Sequence, residues 1–485
     1  MRKMAIHRRI QSFCFHCLMG FLLISALLTR AVYAQSPITL SLNPNNPGPA
    51  LPDQFLGVSY ETQQLLPDAS GHYYFSPDNQ PLINMFRTLG IKNLRIGGNT
   101  VDNNAVAIPN RADIDSLFAF ARAAGVHVIY SVRLKKGDAA QDAQIVQYIM
   151  ENDQHELSCF AIGNEPNIYL KKYALYSDAW EKIMNVILAA EPDAKFCGPN
   201  VSSASTAYWA AEMAKQFGPS GHLAFLCVHN YPGGAGNKVK IPALARSNML
   251  STKWIAGYES LLQKFAPAVE DEHLPWRIEE TNSFFNGGAL NVSDTYTSSL
   301  WSLDYLYWWA FHGADGLNFH TGDQVAAANK KAPCRYALYL SAPDGYKAHP
   351  EAYGALAFSL AAKGGEIPVQ FDSNPDDVNL TAYGILAPNG NLYVTLINKD
   401  NGTDVHDALI KLNVGDAYSH AQFMRLAAPE NNLAATTGVT LGGAQIQDDG
   451  SWSGQWSPLN QPATGGQITV DVPASSAVII KLSGD

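Results

Sequence analysis

From about residue 55 to residue 365, short apolar runs alternate with longer amphipathic stretches, and this alternation most limits the folds open to the chain. Eight runs have the length and the β-branched or aromatic content of strands: Phe55–Glu61, Asn93–Gly98, His127–Leu134, Phe160–Pro166, Lys195–Asn200, Ala224–Tyr231, Trp276–Asn282 and Gly316–Gly322. Between them, Asp113–Ala124, Tyr176–Ala190, Thr206–Phe217, Ser251–Phe265 and Thr295–His312 carry apolar residues at helical spacing. Eight strands, each followed by a helix, describe an α/β chain folded as a (β/α)8 TIM barrel. A doubly wound open sheet also alternates, but no Gly-rich phosphate loop follows the first strand. The span of about 310 residues exceeds the ~250 usual for a barrel, so inserted loops are expected.

Past Gly365 the helical period disappears. Leu380–Leu386, Leu392–Asn398, Ala408–Asn413, Ala421–Leu426 and Gln467–Leu482 read as strands divided by turns such as Asn389-Gly390 and Asp449-Gly450. The expected organisation is a catalytic barrel over 51–365 and a β-sandwich over 366–485. Residues 35–50 would supply an N-terminal strand, Ile38–Leu42, to that sandwich.

Residues 1–34 carry Arg2, Lys3, Arg8 and Arg9, then an apolar stretch near Phe13 to Leu28 and a small-x-small ending at Ala34. That is the pattern of a signal peptide cleaved after Ala34, which implies a secreted or periplasmic protein with no membrane partner after cleavage. The apolar stretch is shorter than the ~20 residues of a spanning helix.

The whole sequence has a formal charge of −10, and 1–34 hold five basic and no acidic residues, so the cleaved chain would carry −15. Such a surface repels polyanions, which argues against nucleic acid and densely sulfated polysaccharide as partners. Cys159, Cys197, Cys227 and Cys334 lie in or beside apolar runs and read as buried free thiols. No CxxC pair follows residue 34 and no HExxH occurs, so neither a metal site nor a cofactor is expected.

Two strand ends carry acids. Ile162-Gly163-Asn164-Glu165-Pro166 closes the fourth strand, and Arg277-Ile278-Glu279-Glu280-Thr281-Asn282 closes the seventh. Strand ends of this kind open on the barrel mouth, where catalytic residues of this fold lie. Two facing carboxylates, one protonated and one ionised, are the equipment for glycosidic bond cleavage. Asn164 is suited to donate to a sugar 2-hydroxyl. Alternation places Glu279 and Glu280 on opposite strand faces, so one of them points into the site, and periodicity leaves the choice open.

The first acidic segment resembles the acid/base signature of the large clan of retaining (β/α)8 glycosidases. Leu94-Arg95-Ile96-Gly97-Gly98-Asn99, Glu280-Thr281-Asn282-Ser283-Phe284-Phe285-Asn286-Gly287-Gly288 and Gly316-Leu317-Asn318-Phe319-His320 are similar, in this order, to segments of glycoside hydrolase family 79. That family holds β-glucuronidases and heparanase-like enzymes, and the resemblance runs over the chain after residue 34. It implies an exo-acting glycosidase that removes terminal β-linked glucuronic acid, or a derivative, by double displacement without a cofactor. Glu165 would be the acid/base. Glu280, the acid directly before Thr-Asn-Ser, would be the nucleophile, with Glu279 turned outward in a hydrogen bond or ion pair. Glu61 resembles a residue that accepts hydrogen bonds from sugar hydroxyls, and Tyr231 a tyrosine that orients the nucleophile. Gly97 and Gly98 are read as a turn offering backbone amides at the pocket floor. His229 and His320 are read as core histidines.

The sequence departs from the family's pattern at the grip on the sugar carboxylate. Phe285 stands where a tyrosine is expected, and the expected Gly-Tyr pair corresponds to Arg335-Tyr336 or to Gly345-Tyr346. An Arg335 reaching the pocket would replace the missing hydroxyl. Otherwise the sequence fits a retaining glycosidase for a neutral or methylated sugar, or a glycan-binding protein on the same scaffold.

Overall fold

The structure is a computed structural model and describes residues 36–202, 204–327, 330–403, 405–459 and 466–484. The expected signal peptide lies outside the described residues. After β1 (Ile38–Leu42) come eight parallel strands: β2 (Leu56–Glu61), β3 (Asn93–Gly97), β4 (His127–Val132), β5 (Leu157–Ile162), β6 (Phe196–Val201), β7 (Leu223–Asn230), β8 (Trp276–Thr281) and β9 (Gly316–His320). Each pairs with the next and β9 pairs with β2, closing the barrel. Helices cover the outside, and their ends are capped where the sequence provides for it. Asn110 and Asp113 form a reciprocal capping box at the start of Arg111–Ala124, and Gly125 ends that helix in the left-handed region.

The fourth barrel strand is displaced from its expected bounds. It begins at Leu157 and stops at Ile162, because Gly163 (φ 81°) and Glu165 (φ 45°) are left-handed and cannot extend a strand. Asn164 and Glu165 therefore sit in a turn above the barrel, and Pro166 opens the short 3-10 turn Pro166–Ile168. In β8 the pairing shifts register, between Val228 and His229 on one side and between Ile278 and Thr281 on the other. This bulge overturns the alternation argument. Ile278 packs in the outer core, while Glu279 and Glu280 both bond Arg95 inside the barrel. Below them Ile129, Cys159, Ala161, Cys197 and Cys227 fill the interior, all four expected thiols being free and buried.

Two hairpins missing from the sequence reading follow β9: Gln324–Ala327 with Lys330–Pro333, and Tyr339–Ala342 with Gly345–Ala348. The remaining chain builds two sheets. β1 lies between Val369–Ser373 and Ala408–Asn413, with Gln467–Val472 beyond. The other sheet runs through Leu380–Leu386, Leu392–Asn398, Ser476–Ser483 and His420–Ala427. Between the sheets pack Leu40, Val394, Ile410, Val470 and Ile480.

Helix Tyr296–Ala310 is buried on every face because it lies between barrel and sandwich. Tyr307 stacks on Tyr383 at 4.7 Å, and Tyr296 donates to the Leu426 carbonyl (2.9 Å). Asp304 accepts from Thr381 Oγ1 (2.7 Å) and Tyr383 Oη (2.8 Å) and pairs with Lys399 Nζ at 2.7 Å. Removing one partner of a buried pair strands the other charge, at about 3–5 kcal/mol. Asp304→Ala is expected to lower the unfolding free energy by that amount, and Asp304→Leu with Lys399→Met to cost less. An unchanged Tm in the single variant would count against this joint.

Candidate active site

The barrel mouth opens into a cavity of about 1030 Å³, lined among others by Asn164, Glu165, Tyr231, Glu280, Phe285, His320 and Tyr336. Its floor is organised by Arg95, a residue in the motif-bearing segment to which the sequence reading gave no role. A charged residue within the apolar run Leu94–Ile96 was the signal available. Arg95 is fully buried, so its five donors need partners. Nε reaches Glu279 Oε1 (3.0 Å), Nη1 reaches Glu280 Oε2 (2.7 Å) and Ser59 Oγ (3.1 Å), and Nη2 reaches Asn164 Oδ1 (2.7 Å). One guanidinium thus ties the two expected catalytic loops together.

Glu280 has both oxygens engaged, since Tyr231 Oη donates to Oε1 at 2.8 Å. Burial alone would raise its pKa, but the charges of His320, His229 and Arg95 and the Tyr231 bond outweigh burial. They hold Glu280 below the usual carboxylate range. Glu165 goes the other way. Burial and the charge of Glu280 raise its carboxyl, against the lowering influence of His229 and Arg95. His229 Nδ1 lies 3.2 Å from Glu165 Oε1 and 4.0 Å from Glu280 Oε2, and oxygens of the two carboxylates approach within 4.8 Å. His320 Nδ1 is 4.0 Å from Glu280, and its pKa is raised, burial being outweighed by Glu280 and Glu61. Both histidines therefore stand at the carboxylates, where the sequence reading had left them in the core. His229 of β7 is paired in register with Glu280 of β8, and His320 ends β9 on the other side of β8, so both imidazoles meet that carboxylate.

Other expected residues are placed elsewhere. Glu61 lies behind the wall, where it accepts from the Thr100 amide and hydroxyl (2.8 Å each) and faces His320 at 3.7 Å. Gly97 and Gly98 give way to Asn99 and Thr100 as lining residues. A Cβ on Gly97 would meet the Arg95 guanidinium, and one on Gly98 (φ 65°) would meet the Glu61 carboxylate, so these glycines make room for side chains. Arg335 is half-buried outside the lining, its charge acting on Asp294, and only its backbone amide joins the loop through the Gly287 carbonyl (2.7 Å). Tyr346 bonds Asn79 (2.7 Å), away from the mouth. Tyr336 is buried in the wall, its ring 6.3 Å from Tyr231 and 6.2 Å from His320. Phe285 stands edge-on to Tyr231 at 6.2 Å and is 41% exposed. Asn282 Nδ2 fastens the loop after Glu280 to the His320 and Tyr336 carbonyls and to Glu351 (2.9 Å).

Two groups have donor atoms close enough to share a cation: Glu165, His229 and Glu280, and Cys197, Cys227 and Glu279. In each, Arg95 already holds a carboxylate oxygen, supplying positive charge where a cation would sit.

Residues 382–479 match the glycosyl hydrolase family 79 C-terminal β domain. The chain is 28% identical over 170 residues to heparanase-like protein 2 of Arabidopsis thaliana, covering 33% of this chain and 28% of that protein. It is 24% identical over 335 residues to a β-glucuronidase of Aspergillus niger, covering 56% of this chain and 59% of that protein. The chain thus spans less than two thirds of these relatives' lengths. Among solved structures, a 4-O-α-L-rhamnosyl-β-D-glucuronidase from Fusarium oxysporum superposes with a TM-score of 0.68 at 20% identity, over 91% of this chain and all of that one. A family 51 arabinofuranosidase from Xanthomonas axonopodis pv. citri superposes at 0.65 and 15% identity, over 93% of this chain and all of that one. At these identities the likeness is one of fold. The C-terminal domain is thus that of glycoside hydrolase family 79, and the chain is similar to a heparanase-like protein and a β-glucuronidase.

Proposed function

We propose that the chain is a retaining, exo-acting glycosidase that releases terminal β-linked glucuronic acid or a close derivative. The observation that carries this reading is the approach of Glu165 and Glu280 oxygens within 4.8 Å, with the two carboxyl pKa values shifted in opposite directions. Retaining enzymes hold their carboxyls ~5–5.5 Å apart, whereas inverting ones leave ~6.5–9.5 Å for a water. In this scheme Glu280 attacks the anomeric carbon while Glu165 protonates the departing oxygen, and Glu165 then takes a proton from the incoming water. Asn164, fixed by Arg95, is positioned to meet the sugar 2-hydroxyl. Arg95 and Tyr231 keep Glu280 ionised and aimed.

The β-glucuronidase and rhamnosyl-glucuronidase relatives support a glucuronide. Phe285 and the displaced Arg335 favour a second reading, a neutral or methylated β-sugar, because each removes one expected donor to a carboxylate. Turnover of matched aryl β-glucuronide, methyl glucuronate, β-glucoside and β-xyloside separates the two. Glu280→Gln is expected to lose roughly 10⁴-fold or more in kcat on the preferred substrate. Retained turnover in that variant would remove Glu280 from the chemistry. Proton NMR of the first product should show the β-anomer, and an α-anomer would overturn retention.

The pH profile follows from the two shifts. Glu165 acts protonated and its pKa is raised, so activity falls as pH climbs through that raised value. Glu280 acts ionised and its pKa is depressed, so the acid limb sets in only at low pH. Tyr231→Phe removes a donor to the ionised form and is expected to move the acid limb to higher pH. A charge-assisted bond of ~1.5–3 kcal/mol corresponds to a kcat loss of roughly 10- to 150-fold. An acid limb unmoved in the variant would show that the phenol does not hold the nucleophile.

A further inference from the structure

The cavity is larger than the carboxylate pair occupies. Around Glu280 its wall is made by Tyr231, Phe285, Tyr336 and His320, and on the Glu165 side it extends to Lys135, Lys136, Asn103, Asn104, Ile168 and Tyr169. This second end is built by hydrogen bonds. Asp102 Oδ1 accepts from the Leu134 and Lys135 amides (2.9 and 2.8 Å), and Oδ2 accepts from the Asn164 amide (3.0 Å) and Tyr169 Oη (2.8 Å). Arg133 adds bonds to the Val101 and Val106 carbonyls (2.7 and 2.9 Å). The loop after β4 is therefore pinned to the loop that carries Glu165.

The charge left at this end is positive. Asp102 spends both oxygens on its own framework, with two donors on each. Lys135 Nζ lies 5.2 Å from the Tyr169 ring centroid, in cation–π range. Lys136 is exposed at φ 56°, a left-handed conformation costly for a residue with a Cβ, and such outliers concentrate at ligand sites. Among the described residues neither ammonium is ion-paired with a carboxylate. In a chain of formal charge −10, two unneutralised cations on one wall of the catalytic cavity are a local exception that an acidic ligand would find.

We propose that Lys135, Lys136 and Tyr169 form a leaving-group subsite for an anionic substituent, a carboxylate or sulfate carried by the part of the substrate that departs. The assignment of this end to the leaving group rests on Glu165 being the proton donor, because a donor must face the departing oxygen. Tyr169 offers its ring to an apolar or sugar face, and the two ammonium groups reach the anion beyond it.

The test uses two coumarin glycosides of whichever sugar the chain cleaves, one with a neutral coumarin and one with its 3-carboxylate. The ratio of their kcat/KM values cancels the sugar's contribution. Lys135→Met with Lys136→Met should lower the ratio of carboxylated to neutral substrate roughly tenfold, mainly through KM, and Lys→Arg at both positions should keep it. Added salt should narrow the wild-type ratio. A ratio equal in wild type and the double Met variant overturns the subsite. If no sugar is cleaved, the glycosidase reading fails by itself. The affinities of the two intact compounds, read by coumarin fluorescence, then give the same ratio and decide the subsite independently. A sulfonated coumarin in place of the carboxylate separates the two anions.

Discussion

The guanidinium of Arg95 is the centre on which the mouth of this barrel depends. A fully buried cation is costly unless charge and hydrogen bonds surround it, and here it receives both from three barrel strands or their loops. The same contacts that make its burial tolerable set the distance between Asn164 and Glu280. They also require Gly97, since any side chain there would occupy the guanidinium's place. Glu279 carries part of this load from beneath. By sharing the cation it leaves Glu280 bound to Arg95 through one oxygen only, with the other free for Tyr231. The bulge in β8 is what lets two consecutive acids face one arginine.

This arrangement explains why the pKa values of two carboxyls so close together move in opposite directions. Glu280 sits among Arg95, His229, His320 and a phenol donor, all favouring its anion. Glu165 is on the turn above, bonded through one oxygen to His229 and subject to its neighbour's charge. The left-handed backbone at Glu165 gives the turn that lifts its side chain over the strand end, while its amide is anchored to the Asn200 carbonyl at 3.0 Å. The backbone is thus strained at the residue expected to exchange protons, and the surrounding bonds hold it there.

Much of the scaffold was legible in the sequence, because buried parallel strands and amphipathic helices have distinct periods. All eight barrel strands lie within a few residues of the runs read for them, and the acids at 165 and 280 stand at the ends of two. What was missed depends on contacts between distant segments. Alternation failed at Glu279 because a bulge is a property of the paired strands and not of one sequence. Glu61, Gly97 and Gly98 lie outside the cavity lining, against Thr100, Arg95 and one another, neighbours set by barrel closure. Arg335 follows a hairpin whose strands are only four residues long, too short for a strand period to show in the sequence. His229 and His320 are indistinguishable from core histidines until neighbouring strands bring carboxylates to them.

The placement of β1 has a consequence for how the molecule is made. Thr39 pairs with Lys411 on one side and Ser373 on the other, so a strand made before the barrel needs partners more than 330 residues away. Until those partners exist, Ile38, Leu40 and Leu42 form an apolar strand with open edges while the barrel beside it can already close. The sheet is completed by an early segment joining strands that follow the barrel. A ribosome that stalls past the barrel would therefore leave a closed barrel beside an unpaired, adhesive β1.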